Sequence, residues 1–211
     1  MLSWFPRAAP GEAALDLGCG RAAHRPLVER CGFAYAGIDY GNPHAPMLAD
    51  AHALPFAGGA FAFVLSVAVW EHLAHPLRAF QEARRVLAPG GRFLGSAAFL
   101  EPHHGGSYYH HSHRAVAHGL LAAGFEIEAL GRFAGWTAPV SLRKALFLPR
   151  WPGLGRAFVW PLHGASEALW RARAALGRDR RLYEVGRRNL AGSFVFSARA
   201  AARGTTVTPA P

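Results

Sequence analysis

Apolar residues in the first half of the chain come in short runs that stop at glycine, aspartate or proline. Ala14 to Leu17 ends at Gly18 and Ala34 to Ile38 ends at Asp39, with about a dozen residues of helical pattern between them, the signature of a βαβ unit. Phe61 to Val69 is apolar without alternation, which predicts a strand buried on both faces. Leu77 to Leu87 repeats apolar residues at helical spacing until Pro89-Gly90-Gly91 stops it, and Arg92 to Phe99 reads as the next strand. Ser112 is placed to cap a helix running to Ala123 with Gly124 behind it, and Phe125 to Leu130 reads as another strand. This strict alternation predicts an α/β fold: a mostly parallel sheet covered on both faces.

The pattern changes from Trp136 to Asn189, where arginine, proline and large apolar residues such as Leu146, Trp151, Phe158, Trp160, Leu162 and Trp170 mix without a strand period. Gly192 to Ala198 then reads as a final strand and Thr205 to Pro211 as a loose tail. No internal repeat and no second core is evident. The expectation is one domain over residues 1–203, interrupted by an insertion at about 136–189 and followed by the tail 204–211.

With 51% hydrophobic and 17% charged residues among 211, the composition excludes a disordered chain. No window reaches the roughly 20 uncharged apolar residues of a membrane-spanning helix. Met1 to Pro10 lacks a basic stretch followed by an apolar run, so a signal peptide is not expected and a cytoplasmic location is. Two cysteines, Cys19 and Cys31, are too few for a disulfide framework. The net charge of +10 is regional: between Arg132 and Arg188, basic residues outnumber acidic ones twelve to three. A coding bias toward arginine and a real anionic partner both account for it.

Leu15-Asp16-Leu17-Gly18-Cys19-Gly20 carries the most chemical information. A glycine turn at the end of a first parallel strand lets a ligand approach the backbone, and Asp39, at the end of the second strand, can accept hydrogen bonds from both hydroxyls of a ribose. The same glycines also satisfy a dinucleotide fingerprint. Three features separate the readings. Asp16 precedes the glycines, where it suits an ammonium group and would repel a pyrophosphate. Asp50-Ala51 falls where the end of a third strand would meet an adenine edge. Leu87-x-Pro89-Gly90-Gly91 makes a tight reversal before the fifth strand.

In these segments the chain resembles the class I S-adenosylmethionine-dependent methyltransferases, in the branch called methyltransferase type 11. The matching words are LDLGCG (15–20), GIDY (37–40), ADAHALPF (49–56), FAFVLSVAVWEHL (61–73) and RRVLAPGGRFL (84–94). The resemblance implies S-adenosylmethionine as cofactor and a Rossmann-like, doubly wound seven-stranded sheet, mostly parallel with the last strand antiparallel, with a helical insertion before that strand. It implies that Asp16, Gly18 and Gly20 line the amino-acid end of the cofactor, with Cys19 contributing backbone. Asp39 would hold the ribose, Tyr40 would flank the adenine, Asp50 and Ala51 would meet its edge, and Ser66 would lie near the sulfonium. The chain departs from the family's usual pattern at Ala62, where an acid is common, at Ala22, where glycine is, and in a short lead-in.

Methyl transfer from a sulfonium needs an oriented, desolvated nucleophile, and a base only where the acceptor must lose a proton. His72, in Trp70-Glu71-His72-Leu73, follows the fourth strand and either shapes the site or serves as that base. A second cluster has five histidines between His103 and His113. It resembles, more loosely, a sub-branch in which His104 and Tyr109 face the acceptor, and His103 and Tyr108 are further candidates to bind it. No metal is expected, because the spacing matches no known metal motif. The expected acceptor is a small molecule or a lipid- or glycan-linked one, methylated at oxygen. The basic insertion could rest on an anionic membrane surface, peripheral to its inner face, and no nucleic-acid partner is expected. An NAD(P)-dependent oxidoreductase and a non-catalytic scaffold are the competing functions.

Overall fold

The computed structural model describes residues 4–133, 136–146, 152–177 and 180–201. Seven strands form one sheet: β1 (Ala13–Leu17), β2 (Ala34–Asp39), β3 (Met47–Leu48), β4 (Phe61–Val67), β5 (Leu87–Ala98), β6 (Phe125–Arg132) and β7 (Ser193–Ala200), in the order β3-β2-β1-β4-β5-β7-β6. The first five pair in parallel, and β7 runs antiparallel to both β5 and β6. This is the doubly wound sheet with a reversed last strand that the sequence predicts. Strand order turns back between β1 and β4, and at such a point a crevice opens beyond the carboxyl ends of the strands. The helices are α1 (Arg25–Arg30), α2 (Pro76–Val86), α3 (His113–Ala122), α4 (Ala138–Leu146), α5 (Pro152–Leu176) and α6 (Arg180–Asn189).

Strand side chains alternate between faces, and the core divides accordingly. On one face Leu15, Leu17, Val64, Phe93 and Phe196 pack against Phe80 and Ala83 of α2 and Val116 and Leu120 of α3. On the other, Ala14, Phe63, Leu65 and Leu94 pack against Val28 of α1 and the lead-in residues Trp4 and Phe5. Trp70, just beyond β4, is fully buried on the first face, its indole stacked on Phe80 at 3.9 Å and 4°. Gly119 lets that ring approach α3, since an added Cβ would come within 2.6 Å of it.

Local structure departs from the expected pattern at two places. The helical pattern between β1 and β2 suggests about a dozen residues, whereas α1 has six. Gly18, Gly20 and Ala22 take φ values of +74°, +57° and +58°. These left-handed conformations do not continue into a right-handed helix, so the turn runs on until Arg25-Pro26. β5 starts early: Leu87 already pairs with Phe61, and the register then jumps so that Arg92 faces Phe63. Pro89-Gly90-Gly91 forms the resulting bulge.

The basic segment is helical, as expected. Gly186 of α6 abuts the indole of Trp170 on α5, and Arg132 of β6 pairs with Glu167 of α5 at 2.9 Å. Its two ends meet at the sheet, where Thr137 bridges Ala191 and the Gly192 N–H donates to the Trp136 carbonyl at 3.1 Å. The expected loose tail, 204–211, lies outside the described residues. Among the described residues no helix is long and apolar enough to cross a membrane.

Candidate active site

A cleft of about 560 Å³ opens where β1, β2 and β4 end. Gly18 forms its floor, Asp39, Tyr40, Asp50 and Ala51 one side, and Val69, His72 and Leu73 the other. A Cβ on Gly18 would run into the Val69 side chain, so the bend stays open only without one.

The backbone donors of the glycine turn are already committed. Gly18 and Cys19 N–H both donate to the Ile38 carbonyl, at 2.9 and 2.8 Å, and Gly20 N–H donates to Asp39 Oδ2 at 3.0 Å. A dinucleotide pyrophosphate needs such amides free at a helix N-terminus, and here α1 begins only at Arg25. This geometry argues against the dinucleotide reading. Asp39 Oδ1 also accepts from Gly41 and Asn42 N–H at 3.2 and 3.1 Å. The carboxylate therefore ties the glycine turn to the loop after β2 while lining the cleft. Gly20 acts through this contact and does not line the cleft itself. Tyr40 stands at the rim, 80% exposed.

Asp50 Oδ1 accepts from the backbone N–H and the ring Nδ1–H of His52, at 2.8 and 2.7 Å. The backbone bond is the chief cause that lowers the Asp50 carboxyl below its ordinary range. His52 Nε2 accepts from His75 N–H at 3.2 Å, which assigns the ring proton to Nδ1 and ties this wall to the start of α2. Sequence reasoning overlooked His52, although it follows Asp50-Ala51 directly.

Besides Gly20, three expected cofactor contacts, Asp16, Cys19 and Ser66, do not line the cleft. Asp16 is 1% exposed and lies outside the cleft lining. Alternation along β1 sends it to the face opposite Leu15 and Leu17, where it accepts from Tyr35 Oη at 2.9 Å and lies 3.6 Å from His24 Nδ1. Gly37 makes room for this, since a Cβ there would sit 2.6 Å from Tyr35 Oη. Burial raises the Tyr35 phenol, so it stays a donor. Burial likewise raises the Cys19 thiol, which keeps it protonated and unreactive. Ser66 is fully buried within β4 and Ala68 and Val69 build the cleft wall in its place.

The Asp16 carboxylate, as hydrogen-bond and charge partner, raises the His24 imidazole above its ordinary pKa against the opposing effect of burial. A raised folded-state pKa contributes stability that is fully present below the unfolded value and is lost as pH rises through the folded one. The melting temperature of the native chain relative to His24→Gln should therefore be highest in mild acid and converge with it as pH rises past neutral. Thermal melts of both chains from pH 5.5 to 8.5 check this; a constant difference would rule it out.

The histidine-rich loop after β5 folds back over the end of β4. Tyr108 and Tyr109 N–H both donate to the Glu71 carbonyl, at 2.6 and 3.2 Å, and Tyr109 Oη donates to the Ala74 carbonyl at 3.0 Å. His111 anchors the far end through its N–H to the Ala98 carbonyl at 2.7 Å. Ser112 caps α3, its Oγ accepting from Ala115 N–H at 3.2 Å. The fold brings His104 against His72, ring centroids 5.0 Å apart and edge to face, and sets Tyr108 in the cleft wall. His103, His104 and Tyr109 do not line the cleft themselves. Beyond the loop lies a second cavity of about 450 Å³, lined by Leu100, Pro102, Leu142, Leu162 and Leu190 with Glu101 and His110 at its edge.

The cleft thus offers the Asp39 carboxylate at the end of β2, a second acid, Asp50, with small apolar residues beside it, and a side-chain-free bend at Gly18. Residues 15–95 match the methyltransferase domain family. A protein encoded in transposon TN4556 of Streptomyces fradiae, named as an uncharacterized 37.1 kDa protein, is 34% identical over 104 residues, covering 41% of this chain and 30% of its own length. The chain thus spans under a third of that curated relative. An S-adenosylmethionine-dependent methyltransferase from Mesorhizobium loti shares the fold at a TM-score of 0.60 with 17% identity, covering 93% of this chain and 94% of that one. Geranyl diphosphate C-methyltransferase from Streptomyces coelicolor, solved with Mg2+, geranyl diphosphate and S-adenosyl-L-homocysteine, also has a TM-score of 0.60, with 15% identity over 92% of this chain and 74% of that one. The family match runs from β1 through most of β5, and the seven-stranded sheet around it is the fold shared with these S-adenosylmethionine-dependent methyltransferases of solved structure.

Proposed function

We propose that the protein is an active methyltransferase that moves the methyl group of S-adenosylmethionine to an oxygen of an acceptor with an uncharged, apolar body, either a small molecule or a lipid-linked one. The observation that carries this reading is the second cavity, separated from the cofactor cleft by one loop. Gly105 and Tyr108 of that loop line the cleft, and Glu101, Pro102 and His110 line the apolar chamber. An acceptor lodged in the chamber needs only to reach past the loop to meet the methyl group. A diphosphate would require cationic partners, and among the described residues the chamber is lined by neither lysine nor arginine.

When bound, the cofactor supplies an electrophilic methyl group on a sulfonium, which leaves as a neutral thioether once the acceptor's lone pair has taken the methyl carbon. Asp39 holds the ribose, Asp50 and Ala51 meet the adenine, and Asp16 and Ser66 support the strands from behind. His72 and His104 stand where they can orient the acceptor hydroxyl or take its proton, and Tyr108 bounds it. The helical segment adds a surface role: Leu162, Leu169 and Leu176, seven residues apart on α5, are 69%, 58% and 86% exposed amid arginines, which supports peripheral contact with an anionic membrane.

Isothermal titration tests the cofactor and tritiated methyl donor tests the transfer. S-adenosylhomocysteine should bind in the micromolar range while NAD(H) and NADP(H) do not, and label should pass into an organic-extractable acceptor from cell extract. Dinucleotide binding would favour the oxidoreductase, and cofactor binding without transfer to any fraction would favour a scaffold. Equal sedimentation with anionic and neutral vesicles would remove the membrane contact.

A further inference from the structure

We propose that Glu71, His72 and His104 form a binding site for one divalent transition-metal ion on the wall of the cofactor cleft. The three come from two separate segments, yet one potential ligand atom from each lies within 4.8 Å of the others. Their spacing along the chain hides this, which is why the sequence alone gives no expectation of a metal.

Glu71 is the main reason to invoke an ion. It is fully buried, its Oε2 has only a long 3.4 Å contact from Ala98 N–H, and its Oε1 has no partner. Among the described residues no lysine or arginine pairs with it. A buried carboxylate oxygen left without any hydrogen-bond partner is open to a bound cation. His72 Nδ1 is likewise buried without a partner. His104 is prepared as a ligand from the other side: its Nδ1 lies 2.9 Å from the Pro102 carbonyl, so the proton belongs there and Nε2 keeps its lone pair. A backbone carbonyl in that role is the usual second support of a metal-bound imidazole. Gly105, at φ +52°, lets the loop close on His72, since an added Cβ would stand 3.3 Å from its Cε1.

Two imidazoles and one carboxylate suit zinc, iron(II), cobalt(II) or nickel(II). Three protein ligands leave coordination positions open, as catalytic sites do and closed structural sites do not. Because His72 lines the cleft, those positions border the space where the methyl group is delivered. Resting on the proposed methyl transfer to oxygen, the ion would bind and acidify the acceptor's hydroxyl, whose proton would pass to solvent, and His72 and His104 would then serve as its ligands in place of acting as the base.

The test is titration of the chelator-treated full chain with cobalt(II), read by visible absorption, and with zinc(II) by calorimetry. One ion per chain should bind with micromolar affinity. His72→Ala, His104→Ala and Glu71→Gln should each weaken it at least about 10-fold, while His103→Ala and His110→Ala leave it unchanged. Circular dichroism melts verify the fold of Glu71→Gln, and exposed His104 supplies a variant with little folding risk. Absence of binding, undiminished affinity in His104→Ala, or equal losses in His103→Ala would overturn the site, the last identifying loose chelation by the histidine-rich loop. Neither cofactor nor acceptor enters the titration, so its failure leaves the S-adenosylhomocysteine result standing, and the reverse.

Discussion

Asp39→Asn should weaken S-adenosylhomocysteine binding by about 1.5–3 kcal/mol, roughly 10- to 150-fold, the range for hydrogen bonds to a charged group. Two losses combine. The ribose hydroxyls lose a charged acceptor, and an amide NH2 replaces one of the two oxygens that now accept from Gly20, Gly41 and Asn42. Whichever way the amide turns, at least one backbone N–H then faces a donor, and the glycine turn loosens from the loop after β2. Calorimetry gives the affinity, and a melting curve on the same sample reports the loop's share. Unchanged affinity would remove Asp39 from the cofactor site and leave it as a clamp between two loops.

Trp70→Ala should destabilise the fold by about 3–5 kcal/mol, the cost of emptying a fully packed aromatic site. The indole is fully buried and stacks on Phe80, with its edge toward Phe93 at 5.7 Å. Those rings belong to the core between α2, α3 and the sheet, which cannot collapse into the void without moving β5. Urea unfolding measures the loss; a change under about 1 kcal/mol would mean that the neighbours close over the gap or that the ring is less well packed. Because Glu71 and His72 follow directly, the same substitution should disturb the cleft wall, and cofactor affinity should fall with stability.

The elements that sequence reading captured are those set by local chemistry. β1 and β4 are apolar but for the buried Asp16 and Ser66 because both faces are covered, and Ser112 announces α3 because its hydroxyl satisfies an N–H that a helix start leaves unpaired. Asp39, Asp50 and Gly18 lie at or just past strand ends, so the strand ends alone bring them to one cleft. The misreadings depend on direction or on distant partners. Asp16 sits in the expected strand, but its side chain points toward Tyr35, a partner visible only once β2 lies beside β1. The shortness of α1 follows from the left-handed backbone of Ala22, where an alanine gives no warning. The meeting of Glu71 with His104 and the chamber behind the loop both require the chain to fold back over β4 and the helical segment to pack beyond it, and no periodicity encodes either.

The bridge between Thr137 and Ala191 gives that helical segment a single doorway: it leaves the sheet and rejoins it at the same point. Everything past the threshold can be lengthened, trimmed or repainted over evolutionary time while the strands beneath keep their register. On the proposed function, what receives the methyl group can then change without disturbing the cleft that holds its donor.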